Sequence, residues 1–278
     1  MMRSLWTGAS GMTAQQLNVD TVANNLANVN TTGFKKERLE FKTLLYQTMQ
    51  RADLDEANPR SRPVNLQVGH GVTPVVSTKT FTTGSFQRTD DPQDVAIEGD
   101  GFFVVEINEN GVAREMYTRD GSFKTSIMED GSTLLTTSDG YPILNTDGEY
   151  IILPPEVLMK DVAVDEDGRF SYVDHANNNT FVDLEMQFQM VQFRNPQGLE
   201  SVGRNLYGIT AASGEKLLEA EGETNSSSRL RQNFLEMSNV SVADEMVSLI
   251  VAQRAYELNS KVITTSDEML QSANALKR

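Results

Sequence analysis

The spacing of hydrophobic residues changes character twice along this chain. Over residues 4–33, Met2, Leu5, Ala9, Met12, Gln16, Val19, Ala23 and Leu26 recur in alternating steps of three and four. That spacing predicts a helix with a coiled-coil-like seam. Gly33, just past the last periodic residue, is the expected C-terminal stop. Gly8 and Gly11 weaken the first turns and imply either fraying or the close approach of another backbone. Residues 34–50 read as a second amphipathic piece, with Phe34, Leu39, Phe41, Leu44, Leu45 and Tyr46 among charged residues. Residues 51–68 are polar with two prolines and read as a surface loop.

From about 70 to 233 the period becomes two. Runs such as "DVAIEGDGFFVVEI" and "VDLEMQFQMVQF" are strand-like. Asp-Gly pairs begin at 100, 120, 130, 139, 147 and 167, with Asn110-Gly111 besides. Such pairs suit tight hairpin turns, so this region is expected to be all-β, a sandwich or irregular barrel. Helical spacing returns over 238–276. Ser238, Asn239 and Ser241 are candidate N-caps, with Asp244 and Glu245 in the first turns. Leu249, Tyr256, Ile263 and Leu270 recur every seven residues, beside a second stripe of Val247, Val251, Leu258, Val262 and Met269. So wide an apolar face suggests a bundle interior rather than one partner helix. The expected class is α+β, with terminal helices packed together as a coiled-coil-like unit around an inserted all-β domain. The divisions are residues 1–45, an N-terminal helical assembly segment; 46–69, an extended segment; 70–233, the β domain; and 234–278, the C-terminal helix.

The N-terminal helix also carries a polar row: Asn18, Thr21, Asn25, Asn28 and Thr32. Between residues 4 and 34 the single charged side chain is Asp20. A solvated face normally carries Lys, Glu and Arg. Amides and hydroxyls suit a helix that meets protein on several sides, because they pair without the desolvation cost of a charge. The helix is therefore expected to order fully only among other copies of the chain.

Charge sharpens this picture. The net charge is −15. Residues 1–50 carry five basic and three acidic groups, residues 235–278 four and six, and the middle fifteen and thirty. The acidity thus lies in the β region, which argues against a nucleic-acid-binding face. There is no cysteine, so disulfides, thiol catalysis and cysteine metal sites are excluded. No apolar run reaches the length of a membrane span. The N-terminus lacks the layout of a cleaved signal, so export would need another route. His70 and His175 read as turn or surface residues, and "NTDGEY" and "DEDGRF" as turns rather than calcium loops. No enzyme motif, metal site or cofactor site is expected.

Several stretches together resemble the bacterial flagellar rod and hook proteins: "ANNLANVNTTGFK" (23–35), "DVAIEGDGFFVV" (94–105), "YTRDGSFK" (117–124), "GLESVGRNLYG" (198–208) and "NVSVADEMVSLIVAQRAYELNSKVITTSDEMLQ" (239–271). Within that family the length and the opening "SLWTGASGM" fit the distal-rod branch. The resemblance implies a structural subunit of a helical polymer, with terminal helices forming an inner layer around an export channel and the acidic β domain an outer wall. Its partners would be further copies, proximal rod and hook subunits, the periplasmic and outer-membrane ring proteins as a bushing, and the flagellar type III export apparatus. Its place would be the basal body, across the periplasm, after signal-less export. Leu5, Met12, Val19, Asn25, Leu26, Asn28, Leu249, Tyr256, Ile263 and Leu270 are the candidate assembly residues. In that family an extra stretch at this place marks the straight rod, so the resemblance implies a stiffening role for the stretch after Leu45, with Tyr46, Gln47, Asp53, Pro59 and Pro63 as its candidate residues. The alternatives are a hook or proximal-rod subunit, or a secreted monomeric β-domain adhesin.

Overall fold

The computed structural model describes residues 2–50, 64–109, 111–155, 157, 159–174, 180–220, 222 and 227–276. The chain divides into two compact units. Unit 1 comprises Met1–Ala27, Glu37–Thr78 and Ser241–Arg278, and unit 2 comprises Asn28–Lys36 and Lys79–Val240.

Unit 1 contains helix α1 (Met2–Ala27) and helix α2 (Val242–Ala275), packed against each other. At 1.5 Å per residue, α2 is about 50 Å long. Asp244 and Glu245 lie in its first turn, where the helix dipole favours negative charge. Ser241 holds the N-cap position without a capping side-chain bond. The unit also contains strands β1 (Glu37–Thr43), β2 (Tyr46–Gln50), β3 (Leu66–Gly69) and β4 (Val72–Lys79, whose last residue falls in unit 2). β1 pairs with β4, and β2 pairs antiparallel with β3. The register runs Tyr46↔Gly69, Gln47↔Val68 and Thr48↔Gln67, then shifts before Gln50↔Leu66.

Two expectations are corrected here. The N-terminal helix ends at Ala27, not at Gly33. Asn28, Asn30, Thr31 and Thr32 compete with the helical backbone through their side chains. Thr31 N–H reaches the Asn28 carbonyl at 3.2 Å, and its hydroxyl donates to Asn28 Oδ1 at 3.2 Å. The second amphipathic piece is two strands, so the segment 1–45 is not helical throughout. Its apolar residues are spread over faces that are mostly exposed in this chain.

Unit 2 is all-β. Its central strand β7 (Phe102–Glu109) pairs with β8 (Val112–Thr118) and with Met190–Gln192 in a six-stranded sheet. Period two explains its unbroken apolar run, because both faces are covered. Phe103, Val105 and Ile107 enter one core with Phe123, Ile143, Phe170 and Phe188. Phe102 and Val104 enter another with Tyr117, Val191, Phe193 and Tyr207. Edge-to-face ring pairs, such as Phe103–Phe123 at 4.9 Å, complete this packing. The Asp-Gly pairs at 130, 139, 147 and 167 close reverse turns. The pair at 120 does not: a Cβ on Gly121 would lie 1.7 Å from the Val95 carbonyl oxygen, so glycine is there for want of space. His70 lies half-buried between β3 and β4, and His175 falls outside the described residues.

Candidate assembly surface

The seam between α1 and α2 is built from small and polar side chains. On α1, Gly8, Ala14, Val22 and Asn25 are buried; on α2, Glu245, Ala252 and Ser266 are. A Cβ added at Gly8 would meet Ile263 Cγ1 at 3.0 Å, and one at Gly11 would meet the Asn259 amide at 2.9 Å. The two glycines therefore mark the close approach of α2, not fraying. The hydroxyls of Ser4 and Ser266 lie 3.2 Å apart farther along. The α2 residues Glu245, Ala252, Asn259 and Ser266 are spaced by seven, the same rhythm as Leu249, Tyr256, Ile263 and Leu270. Hydrophobic periodicity found the second set and missed the first, because Ala, Ser and Asn leave no mark in a pattern of large apolar residues.

Asn25 shows what one buried amide does. Its Nδ2 donates to the Glu37 carbonyl at 2.8 Å, and its Oδ1 accepts from the Glu37 N–H at 2.9 Å. Nδ2 also reaches Glu245 Oε2 on α2 at 3.3 Å. One side chain thus holds α1, the first residue of β1 and α2 together. Asn28 is half-buried in the turn after the helix, where it accepts from Thr31.

The other candidate assembly residues lie on the flanks of this seam. Leu5, Met12, Val19, Leu26, Leu249, Ile263 and Leu270 are half-buried, and Tyr256 is 41% exposed. Val19 and Tyr256 line a shallow groove with Gln16, Gln253 and Glu257. Beyond the seam the helices present bare apolar groups: Trp6 and Leu17 on α1, and Val247, Val251, Leu258, Val262 and Met269 on α2. The β2–β3 ribbon does the same with Tyr46, Met49, Leu66 and Val68, and Gln47 is exposed beside them. Asp53, Pro59 and Pro63 fall outside the described residues. Helices and ribbon alike thus leave large apolar side chains uncovered in this chain.

Sequence reasoning did not find the charged centre of unit 2. Lys35, Arg119 and Glu236 are fully buried there. Lys35 Nζ donates to Glu236 Oε1 at 2.7 Å and to the Thr82 carbonyl at 2.9 Å. The same carboxylate oxygen accepts from Gly84 N–H at 2.8 Å, and the Glu236 carbonyl accepts from Gly33 N–H at 2.8 Å. Arg119 Nη1 lies 3.9 Å from Glu236 Oε2, and its guanidinium sits 4.8 Å from the centre of the Phe102 ring. Burial, aided by the neighbouring guanidinium, lowers the Lys35 pKa to about 8. Burial also pulls the Arg119 pKa down. The missed signal is the lysine of "GFKK", which directly follows Phe34 at the end of a stretch otherwise almost free of charge. Nearby, Asn239 accepts from Lys36 N–H at 2.7 Å and donates to the Thr80 carbonyl at 2.8 Å. It acts as a clamp rather than as a helix cap.

The described residues contain no group of acidic, His or Cys side chains that could hold a metal ion, and none of their helices is long and apolar enough to cross a membrane.

Comparison with known proteins accounts for both helices and the β region. Residues 5–35 match the family "Flagella basal body rod protein", residues 96–172 the "Flagellar hook protein FlgE/F/G D1 domain", and residues 231–276 the "Flagellar basal body rod FlgEFG protein C-terminal". The Borreliella burgdorferi protein named flagellar basal-body rod protein FlgG is 49% identical over 278 residues, 100% of both chains. Its namesake from Caulobacter vibrioides is 40% identical, covering 99% of this chain and 100% of its own. That from Bacillus subtilis is 38% identical over 100% of both chains. With full-length relatives at these identities, and with the paired terminal helices and β region in place, the chain belongs to the flagellar basal-body rod protein family.

Proposed function

We propose that the chain is a structural subunit of the distal section of the rod, a drive shaft made of many copies joined head to tail. The observation that supports this most is the apolar surface of unit 1. Its helix seam is closed by small residues and amides, and its large apolar side chains point elsewhere. Head-to-tail contacts that do not close generate an open filament. In such a filament, Trp6, Leu17 and the α2 stripe of one copy are covered by the helices of its neighbours. Leu5, Met12, Val19, Leu249, Tyr256, Ile263 and Leu270 flank those contacts. The tube encloses the export channel, carries torque by packing rather than by chemistry, and runs through the periplasm inside the ring proteins. It joins proximal rod subunits at one end and the hook at the other, and its subunits arrive through the flagellar type III apparatus.

The β2–β3 ribbon lies within residues 46–69, the segment proposed to stiffen the shaft. Electron microscopy of concentrated full-length protein tests both points. The wild-type chain is expected to form straight tubes, and a chain lacking residues 46–69 is expected to form tubes that bend. A chain that stays monomeric at every concentration contradicts the polymer, and straight tubes without residues 46–69 contradict the stiffening role.

A further inference from the structure

The three buried charges of unit 2 come from stretches far apart in the chain. Lys35 follows α1 by eight residues, Arg119 directly follows β8, and Glu236 closes the short strand Phe234–Glu236. Lys35 and Glu236 are separated by 201 positions. None of the three side chains is accessible to water. Two of them are cations, close enough that Arg119 lowers the Lys35 pKa. The other charged and titratable groups acting on the pair are Asp100, Glu219 and Tyr207. The Glu219 carboxylate already accepts from Gln192, from the Ser228 hydroxyl and from the Ser228 N–H. Asp100 is exposed. Only Glu236, of the described residues, offers a carboxylate to Lys35 at hydrogen-bond distance while fully buried.

We propose that the Lys35–Glu236–Arg119 cluster is a completion lock, in which two buried cations keep unit 2 from closing until Glu236, near the end of the chain, seats between them. A buried charge without its partner is far more costly than an exposed one. Before Glu236 arrives, closing the β domain would bury Lys35 and Arg119 against each other with no counter-charge. Once it arrives, the same residue receives Lys35 and the Gly84 N–H on its side chain, and the Gly33 N–H on its carbonyl. Its strand then pairs with Phe86–Arg88 in the register Glu236↔Phe86. A chain that emerges N-terminus first therefore holds unit 2 open until almost all of it is present. Electrostatics thus adds to the missing Leu230 core contact and the missing Arg229–Gln232 strand pairing in disfavouring closure of a partial β domain. This inference stands independently of the polymer, since all three residues belong to unit 2.

The test compares full-length chains carrying Glu236→Gln, Lys35→Met with Arg119→Met, and all three changes. Gln keeps the shape and an acceptor for Gly84 but removes the charge. Near-UV circular dichroism, in which buried Tyr117 and Tyr207 report on unit 2, follows thermal unfolding. Glu236→Gln is expected to lower the midpoint by about 10 °C in the wild-type background and by no more than a couple of degrees when both cations are gone. If the single variant does not fold, folding of the triple variant supports the lock and its failure to fold overturns it. The loss caused by Glu236→Gln is further expected to shrink between pH 7 and pH 10, as Lys35 sheds its proton. An equal drop in both backgrounds, or no drop in either, means that Glu236 serves as a hydrogen-bond acceptor only, and the lock is wrong.

Discussion

Units 1 and 2 solve the same problem in opposite ways. Unit 2 builds a core of its own: Phe102, Phe103, Phe123, Phe170 and Phe188 are all fully or almost fully buried within it, while Ile127 and Phe181 stay at its surface. Unit 1 hides little among the described residues. Ala14, Val22 and Ala252 are its buried hydrophobic side chains, while Trp6, Val247, Ile250, Val251 and Leu258 are each more than half exposed. The contrast extends to polar groups. Unit 2 buries two cations around one carboxylate, whereas unit 1 joins its helices through amides, hydroxyls and glycines, with the one carboxylate of Glu245 taking a bond from Asn25. A seam of small residues lets two helices approach closely and leaves their bulky residues free for a different partner. Among the described residues unit 2 thus encloses a core of its own, whereas unit 1 leaves most of its large apolar side chains uncovered.

The sharpest way to break that contrast is to make unit 1 as polar outside as a monomer. Changing Val247, Val251, Leu258 and Val262 together to Lys should leave the helical circular dichroism nearly unchanged and abolish polymer in sedimentation. Next in size is the seam. Gly8→Leu must push against Ile263, and overpacking of this kind costs about 2–3 kcal/mol. It should lower the unfolding midpoint of the helices while leaving the near-UV signal of unit 2 in place. Asn25→Ala strips the Glu37 N–H and carbonyl of their partner, for a loss of about 1–2 kcal/mol. Hydrogen exchange at the Glu37 amide should accelerate more than at other β1 amides.

A smaller effect comes from pH in unit 2. Its Lys35 pKa of about 8 lies below the ordinary 10.5, so between these values the unfolded chain holds more protons than the folded one. Stability of unit 2 should therefore rise with pH above 8, by about 1 kcal/mol per unit at most steeply. Burial pushes the Tyr117 hydroxyl up, so the gain should turn to loss above about pH 10, where the unfolded tyrosine ionises first. Urea midpoints at pH 7, 9 and 11 would trace both limbs. Smallest of all, Arg254→Ala removes an exposed pair with Glu257 at 2.9 Å and should change stability by less than about 0.5 kcal/mol.

The two units also differ in how far the sequence announced them. The β region was legible because its turns carry Asp-Gly and its central strand is a run of large apolar residues. Both helices were legible from their spacing, and so was their pairing. The seam was misplaced by about one residue on α1, because Gly8, Ala14 and Asn25 are invisible to a hydrophobic pattern. The row of asparagines was noticed, yet part of its work lies inside the chain: Asn25 spends its amide on Glu37 and Glu245. The lysine–glutamate–arginine centre went unread, with the lysine of "GFKK" as its one faint signal. Its members are hundreds of atoms apart along the chain, and charge normally signals solvent.

The claim beneath this account is that the helix pair is finished only by other copies. Hydrogen exchange across a dilution series of the full-length protein tests it most directly. The account predicts that α1 and α2 amides exchange far faster than those of β7 in dilute monomer, and become protected as sedimenting polymer forms. Helices as protected as β7 in a dilute monomer, with no polymer at high concentration, would contradict it.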